Sequence, residues 1–327
     1  MQFRTEINIP PLPFTISHGD RILPLGSCFS EHIAKRLDRT LFHVVPNPFG
    51  TSYNPVSLSE QIHRIRLGKS YQAEDLNHHD GTYFSFSHYT AFSDPDPEPA
   101  LHRMNEALRG AHESLPKTRL LMLTLGTAHA WKNRNLDKIV NNCHRVPGKE
   151  FDRVLLSVET ITKQLGAALD SLTGEFPQLQ VLLTVSPVRH LRDGAVANQR
   201  SKAILLVAAH ELAKTFESVS YFPSYELMMD DLRDYRFYTE DMLHPTDQAV
   251  DYIWNKFSDS VISEASRKSM QSVAPIVRFM EHRPKNARSA AHRSNVERMK
   301  QLIQQEKSRI PDADWRRIEE WMNQERD

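Results

Sequence analysis

The feature that most constrains the fold is an alternation of short apolar runs with longer amphipathic stretches over about the first 260 residues. Runs that are apolar at every position are typical of parallel strands buried on both faces. Strands that alternate with helices predict a parallel sheet covered by helices on both sides, which is an α/β fold. The predicted strands lie at residues 21–25, 42–45, 120–125 and 181–185, with a weaker one at 219–222.

The amphipathic stretches between these runs carry apolar residues at helical spacing. Helices are predicted at residues 29–37, 151–172, 195–216 and 246–257, and another opens at Asn54-Pro55. Pro245 is expected at the first position of the helix predicted at 246–257. Proline lacks the backbone N–H, and at this position that group would have no partner within the helix.

Three parts are predicted along the chain. Residues 1–262 form the catalytic domain, and residues 68–99 within it form a long irregular insertion beside the site, because long loops in compact domains are often functional. A disordered surface loop is the alternative. Residues 263–327 form a charged helical tail with a narrow apolar stripe, expected to pack on the domain, on a protein partner or on a second copy; its basic face at 283–300 is read as solvated.

Charge and composition narrow the class of partner. Lysine plus arginine and aspartate plus glutamate both number 41, so the formal net charge is zero and nucleic acid is not an expected partner. No run reaches the roughly 18 apolar residues of a membrane span, and the N-terminus lacks the apolar core of a signal peptide. Two cysteines, Cys28 and Cys143, cannot build a disulfide framework. A cytoplasmic protein that acts on a small molecule or a carbohydrate is expected.

The segment Leu25-Gly26-Ser27-Cys28-Phe29 carries a candidate nucleophile. A strand ends, a glycine permits a sharp turn, and Ser27 then stands at a helix N-terminus, where free N–H groups can stabilise an oxyanion. Serine is also a favoured helix N-cap, so capping alone can explain Ser27. Cys28 is a rival nucleophile, intrinsically stronger than serine at neutral pH, or simply a small buried residue.

The segment from Glu240 to Pro245 carries a candidate acid–base pair. In a tight turn, the Asp241 carboxylate can reach Nδ1–H of His244, which leaves Nε2 free to accept a proton from serine. Pro245 disfavours the α region at His244 and so fixes it at the junction of loop and helix. Helix capping by Asp241 beside a surface histidine is the alternative, and Glu240 is a less natural choice of acid.

Six segments in order carry a family resemblance. They are GSCFS at 26–30, NPFGTSYNP at 47–55, LGTAHAW at 125–131, NCHRVP at 142–147, SPVRHLRDG at 186–194 and DMLHP at 241–245. Together they resemble the GSCFA-domain family, a branch of the SGNH (GDSL-like) hydrolase superfamily. The resemblance implies a three-layer flavodoxin-like fold and a triad of Ser27, His244 and Asp241. It also implies an oxyanion hole of the Ser27 and Gly50 N–H groups and a third donor; the superfamily's asparagine is missing there, and the Thr127 hydroxyl can replace it.

Further polar residues are candidates for the substrate pocket. Histidines among aromatic residues can stack on and hydrogen-bond a sugar, and arginine can bind a carboxylate or a phosphate. Simple packing, or pairing of the arginine with a structural acid, is the alternative. The pair Cys143-His144 has no second pair at zinc-binding spacing, so no metal and no cofactor is expected. The candidates are His88, His129, Asn142, His144, Arg189 and His190.

These observations predict a serine esterase that acts on small acyl esters through an acyl-enzyme intermediate. O-acetylated carbohydrate is a substrate class implied by the superfamily resemblance alone. Two alternatives stay open: an acyltransferase that uses the same triad, and a binding or scaffold module without catalytic activity.

Overall fold

The computed structural model describes residues 4–282 and 289–324. Its strands are Arg21–Gly26 (β1), His43–Val44 (β2), Asn77–His79 (β3), Thr82–Phe84 (β4), Thr118–Leu125 (β5), His129–Asn133 (β6), Lys138–Val140 (β7), Phe151–Leu155 (β8), Gln180–Val185 (β9) and Val219–Tyr221 (β10). Its helices are Cys28–Arg39 (α1), Pro55–Leu67 (α2), Pro97–Ser114 (α3), Val158–Glu175 (α4), Ala195–Thr215 (α5), the single turn Ser224–Glu226 (α6), Asp247–Val261 (α7), Glu264–Glu281 (α8), Ala290–Arg309 (α9) and Arg316–Gln324 (α10).

Five parallel strands form the central sheet in the order β2-β1-β5-β9-β10. These are the five strands predicted from the apolar runs, with bounds that differ by one or two residues. The order is that of flavodoxin-like sheets, in which ligands bind at the carboxyl ends of the strands, where the strand order reverses.

The two faces of the sheet bury different helices. In β5, Leu120 and Met122 pack with apolar residues of α1 and α7, whereas Leu121 and Leu123 pack with those of α2, α3, α4 and α5. Alternate side chains of a strand point to opposite faces, so a strand that is apolar throughout serves both layers. The predicted three-layer α/β fold is therefore confirmed.

The predicted helix at residues 151–172 is wrong in its first part. Phe151–Leu155 is strand β8, which pairs antiparallel with β6. Helix α4 begins only after Ser157, whose side chain accepts the N–H of Thr160 as an N-cap. The cap residue was a signal for the helix start that the apolar pattern obscured.

The helix predicted at 246–257 begins one residue later and ends later. Thr246 is its N-cap and accepts the N–H of Ala249, so Pro245 lies just outside the helix and not at its first position. Pro245 instead forms an isolated bridge with Tyr238. That bridge closes the loop that carries the candidate acid–base pair.

The segment 68–99 has more regular structure than its sequence predicted. It contains the antiparallel hairpin of β3 and β4, and helix α3 begins at Pro97 within it. Proline is well tolerated in the first helical turn, and the buried residues Ala100, Met104, Leu108 and Ala111 follow at helical spacing. Both signals for α3 were present in the sequence.

The C-terminal helices pack on the connection between α1 and β2. Val273 of α8, Ile303 of α9 and Ile318 of α10 form a cluster with Leu41, together with Trp315 just before α10. The Asp314 N–H donates to the Leu41 carbonyl at 2.8 Å. Residues 310–315 separate α9 from the short helix α10. The basic stretch at 283–300 lies partly outside the described residues, and the domain boundary at 262 stays a prediction.

Replacing Trp315 tests whether this contact stabilises the chain. Trp315 is 4% exposed and its Nε1–H donates to the Ile310 carbonyl at 3.0 Å. We expect Trp315→Ala to lower the free energy of unfolding by about 3–5 kcal/mol, the range for large aromatic residues in a core. Denaturant unfolding measures it. Glu320→Ala, at an exposed position of α10, is the matched control, and equal effects of the two substitutions would contradict the packing role.

Candidate active site

The turn after β1 fixes the first candidate residues. Gly26 has a φ of +124°, and a Cβ there would lie 2.2 Å from the Thr124 carbonyl oxygen, so only glycine fits. Ser27 follows as the N-cap of α1. Its Oγ accepts the Phe29 N–H at 3.3 Å, and its own N–H donates to the Thr124 carbonyl at 3.1 Å. Ser27 is 1% exposed. In the structure it is a helix cap, and its role as the nucleophile stays a prediction.

A cavity of about 490 Å³ lies beside this turn, at the carboxyl ends of β1, β5 and β9. Its lining includes Cys28 but not Ser27, together with Thr51, Thr127 and His244. Cys28 is half-buried and is the first residue of α1. The residue of the GSC turn that faces the cavity is therefore the cysteine.

The Cys28 thiol is protonated in the resting protein at neutral pH. Burial raises its pKa, and the carboxylate of Glu31 raises it further. The backbone N–H groups of Cys28 and Phe29 and the ammonium group of Lys202 act in the opposite direction, but more weakly. Because the thiolate is the reactive form of cysteine, Cys28 needs a base before it can attack.

Asp241 and His244 form the pair that their spacing predicted. The His244 Nδ1 lies 2.6 Å from Asp241 Oδ2, across a turn in which Met242 takes a φ of +58°. Asp241 Oδ1 accepts the N–H groups of Leu243 and His244 and the hydroxyl of Thr239. The donors from His244, first its N–H and then its ring, hold the pKa of the Asp241 carboxyl far below its usual range.

This hydrogen bond determines which nitrogen of the neutral His244 ring carries the hydrogen. An ionised carboxylate can only accept, so Nδ1 of His244 carries the hydrogen and Nε2 of the neutral ring is a proton acceptor. Nε2 makes no hydrogen bond within residues 4–282 and 289–324. Slightly under half of each side chain is exposed, so both are within reach of water, and His244 lines the cavity.

The loop after β9 holds this pair in place. The N–H of Arg189 donates to the Leu243 carbonyl at 3.0 Å, and its Nη1 donates to the Met242 carbonyl at 3.2 Å. From the other side, the Thr239 N–H donates to the His244 carbonyl at 2.8 Å. Two loops that are far apart in sequence thereby set the position of the histidine.

The three predicted oxyanion donors are engaged elsewhere. The Ser27 N–H is bonded to Thr124, and the Gly50 N–H points to the Asn47 carbonyl at 3.4 Å. The Thr127 hydroxyl lines the cavity, but it lies 3.0 Å from Ser201 Oγ and accepts the His129 N–H.

The free donors lie one residue further along in two of these loops. Within the described residues, the N–H groups of Cys28 and Thr51 donate to no other residue, and both residues line the cavity. The N–H of Cys28 is one of the unpaired groups at the start of α1, where the helix dipole favours negative charge. These two N–H groups can therefore stabilise an oxyanion in the cavity.

Half of the predicted pocket residues line the cavity. His129, Arg189 and His190 do so, and the ring nitrogen Nε2 of His190 and both ring nitrogens of His129 are buried without a partner among the described residues. Burial lowers the pKa of His190 to about 3 and also lowers that of His129. Both rings are therefore neutral at physiological pH.

The other three predicted pocket residues hold the loops behind the cavity. His88 is fully buried, with its ring centroid 4.7–5.0 Å from those of Phe49, Tyr71 and Phe92. His144 stacks on a phenylalanine, and Asn142 donates to the Thr90 hydroxyl at 3.0 Å. The two histidine rings are thus packed among aromatic rings, which for His88 was the alternative to a substrate contact.

Lys202 and Asn141 are among the residues around the site that were missed from the sequence. Lys202 is 1% exposed, and its Nζ donates at 2.7 Å to the carbonyls of Gly126 and Ser186, just after β5 and β9. Burial lowers its pKa to about 7. Asn141 accepts the Tyr53 N–H at 3.2 Å and donates to the Thr51 carbonyl at 3.0 Å, which holds the loop before α2. The signal for Lys202 was its helical spacing with Leu205 on the buried face of α5.

Two kinds of feature are absent from the part of the chain that the structure describes. Its histidine, cysteine, aspartate and glutamate side chains form no group of three or more that could hold a metal ion. In the same residues, no helix is both long and apolar enough to cross a bilayer.

Comparison with known proteins gives one family. The model of the GSCFA family matches residues 21–257. No curated protein matches the chain. Among solved structures, the chain is similar to one from Streptococcus pneumonia described as "a putative platelet activating factor", with 14% identity, a TM-score of 0.41 and coverage of 73% of this chain and 83% of that one. A likeness this distant carries no inference about activity.

The buried lysine gives a pH-dependent prediction. The pKa of Lys202 is about 7 in the folded chain and about 10.4 when unfolded, so the unfolded chain binds more protons between these values. We therefore expect the stability of the wild type, relative to Lys202→Met, to rise between about pH 7 and pH 10. Urea unfolding of both proteins across this range measures it.

Lys214→Met is the matched control, because Lys214 is exposed on the same helix. Its stability curve should stay parallel to that of the wild type. A parallel curve for Lys202→Met as well would show that Lys202 keeps its ordinary titration in the folded chain.

Proposed function

The chain belongs to the GSCFA family, and on this basis we propose that it is an ester hydrolase that works through a covalent acyl-enzyme intermediate. One observation carries the proposal: His244, oriented by Asp241 at 2.6 Å, lines the same cavity as Cys28 at the start of α1. A nucleophile, a base and a group that orients the base are the parts that acyl transfer requires.

Cys28 is the nucleophile that this geometry favours over the predicted Ser27. The Ser27 hydroxyl is buried and accepts the Phe29 N–H as a helix cap, and Ser27 does not line the cavity. Cys28 lines it, and backbone N–H groups lie close to its sulfur. The proposal keeps the histidine and aspartate of the predicted triad and moves the attacking atom by one residue.

The reaction then proceeds in two halves. The Cys28 sulfur bonds to the acyl carbon while its proton passes to Nε2 of His244, and Asp241 stabilises the imidazolium. The N–H groups of Cys28 and Thr51 stabilise the negative oxygen of the tetrahedral intermediate. This intermediate expels the alcohol, which takes the proton from His244. A water molecule, deprotonated by His244, then attacks the thioester, and the acid leaves as the thiol recovers its proton.

The size of the cavity supports a small substrate. A volume of about 490 Å³ lies within the range for small-molecule sites. The aromatic rings of Tyr53, Tyr89 and Trp131 are part of its lining, and such rings can pack on a sugar. A small acyl ester, such as an O-acetylated carbohydrate, is the substrate class that we propose.

Variants at the turn and at the base test the proposal by turnover of p-nitrophenyl acetate. We expect Cys28→Ala and His244→Ala to lower kcat/KM by about 10³-fold or more, because each removes a group needed for attack. Ser27→Ala should lose about 0.5–2 kcal/mol of stability with the helix cap, yet keep most of the turnover. Cys143→Ala is the matched control, since Cys143 is also half-buried but does not line the cavity.

Two outcomes would contradict the proposal in different ways. Loss of turnover in Ser27→Ala with turnover kept in Cys28→Ala would return the nucleophile to the serine. Wild-type protein that neither turns over esters nor reacts with iodoacetamide or a fluorophosphonate at residues 27 or 28 would favour a binding module without catalysis.

A further inference from the structure

The lining of the candidate cavity carries positive charge and no negative charge. It contains the guanidinium groups of Arg153, Arg189 and Arg192, and none of its lining residues is an aspartate or a glutamate. Three histidines also line it, but burial keeps His129 and His190 neutral. The positive field in the cavity therefore comes from the arginines.

Acidic groups close to the cavity are already bonded. Arg153 Nε donates to Asp193 Oδ1 at 3.1 Å, so the charge of Arg153 is compensated. Asp241 is bonded to His244, and Glu31, behind the lining, accepts the Thr51 hydroxyl at 2.9 Å. None of these carboxylates pairs with the remaining two arginines.

The guanidinium N–H groups of Arg189 and Arg192 are available to bind a ligand. Within residues 4–282 and 289–324, neither forms an ion pair, and Arg192 makes no hydrogen bond. The Arg192 guanidinium lies 4.8 Å from the ring centroid of Trp131, whose ring also has Arg153 at 4.6 Å. The Arg189 side chain donates one bond, to the Met242 carbonyl, and its guanidinium lies 5.4 Å from the Tyr238 ring centroid. Aromatic rings and a backbone carbonyl thus contact both groups, and neither group is held in an ion pair with a described carboxylate.

We propose that the ester bound in this cavity carries an anionic group, either a carboxylate or a phosphate, and that Arg189 and Arg192 bind this group. Guanidinium groups match both anions geometrically, and charge-assisted bonds in a partly enclosed cavity are stronger than those between neutral groups. Arg189 also anchors the His244 loop through its N–H, so an anion on Arg189 lies beside the base. The inference rests on the proposed hydrolase for its chemistry, but the anion site can be tested by binding alone.

The binding test uses amides that resemble the ester but resist hydrolysis. Calorimetry compares 4-acetamidobenzoate, 4-acetamidophenyl phosphate and the neutral 4-acetamidobenzamide. At least one anion should bind the wild type about tenfold more tightly than the neutral amide or better. The tighter of the two anions identifies the group. The preference should weaken as salt is added, because charge–charge attraction is screened.

The variant Arg192→Gln should lose most of the preference for the anion and keep its affinity for the neutral amide, because the Arg192 side chain, unlike that of Arg189, makes no bond to the His244 loop. Arg298→Gln, at an exposed position of α9, is the matched control and should behave as the wild type. Equal affinity of the wild type for charged and neutral amides, independent of salt, would overturn the anion site. Because the salt series uses only wild-type protein, the result does not depend on the variants folding.

Turnover separates this inference from the proposed function. The wild type should hydrolyse 4-acetoxybenzoate with a kcat/KM about tenfold or more above that of 4-acetoxybenzamide. Equal turnover of the two esters would overturn the anion site while the hydrolase stands. Binding of the anion without turnover of any ester would overturn the hydrolase while the anion site stands.

Discussion

The candidate site depends on the close contact between β1 and β5 at Gly26. The Thr124 carbonyl occupies the space where any other residue would have a Cβ, and it accepts the N–H of Ser27. That contact ends the strand, makes Ser27 the cap of α1 and brings Cys28 to the cavity wall. Parallel strands end at the same edge, so the loops after β5 and β9 bring Thr127, Arg189 and His190 to the same cavity.

Features that depend on neighbours in sequence could be predicted. Apolar runs indicated all five strands of the central sheet, and the spacing of Asp241 and His244 indicated their hydrogen bond. The family resemblance carried by six segments is confirmed by the family model over residues 21–257. Each of these signals lies within a single stretch of the sequence. The packing of distant segments therefore does not alter it.

Features that depend on packing between distant segments could not. Residue type alone could not tell that His88 and His144 are enclosed by aromatic rings, or that Lys202 reaches the ends of two strands. Ser27 and Cys28 are neighbours in one turn, and which of them lines the cavity depends on the direction of the chain after Gly26. The close contact of Gly26 with Thr124 sets that direction. In the same way, the sequence could not tell that Asp193 forms its ion pair with Arg153, 40 residues earlier, and not with Arg192 next to it.

The central claim is that the acyl group of the substrate is transferred to the Cys28 sulfur. The most direct measurement is to detect the acyl group on that residue. Wild-type protein mixed with p-nitrophenyl acetate is quenched in acid within the first turnover and digested, and the peptides are examined by mass spectrometry. The account predicts one acetyl group on Cys28, which neutral hydroxylamine removes as it does other thioesters. An acetyl group on Ser27, or no adduct at either residue during measurable turnover, would contradict it.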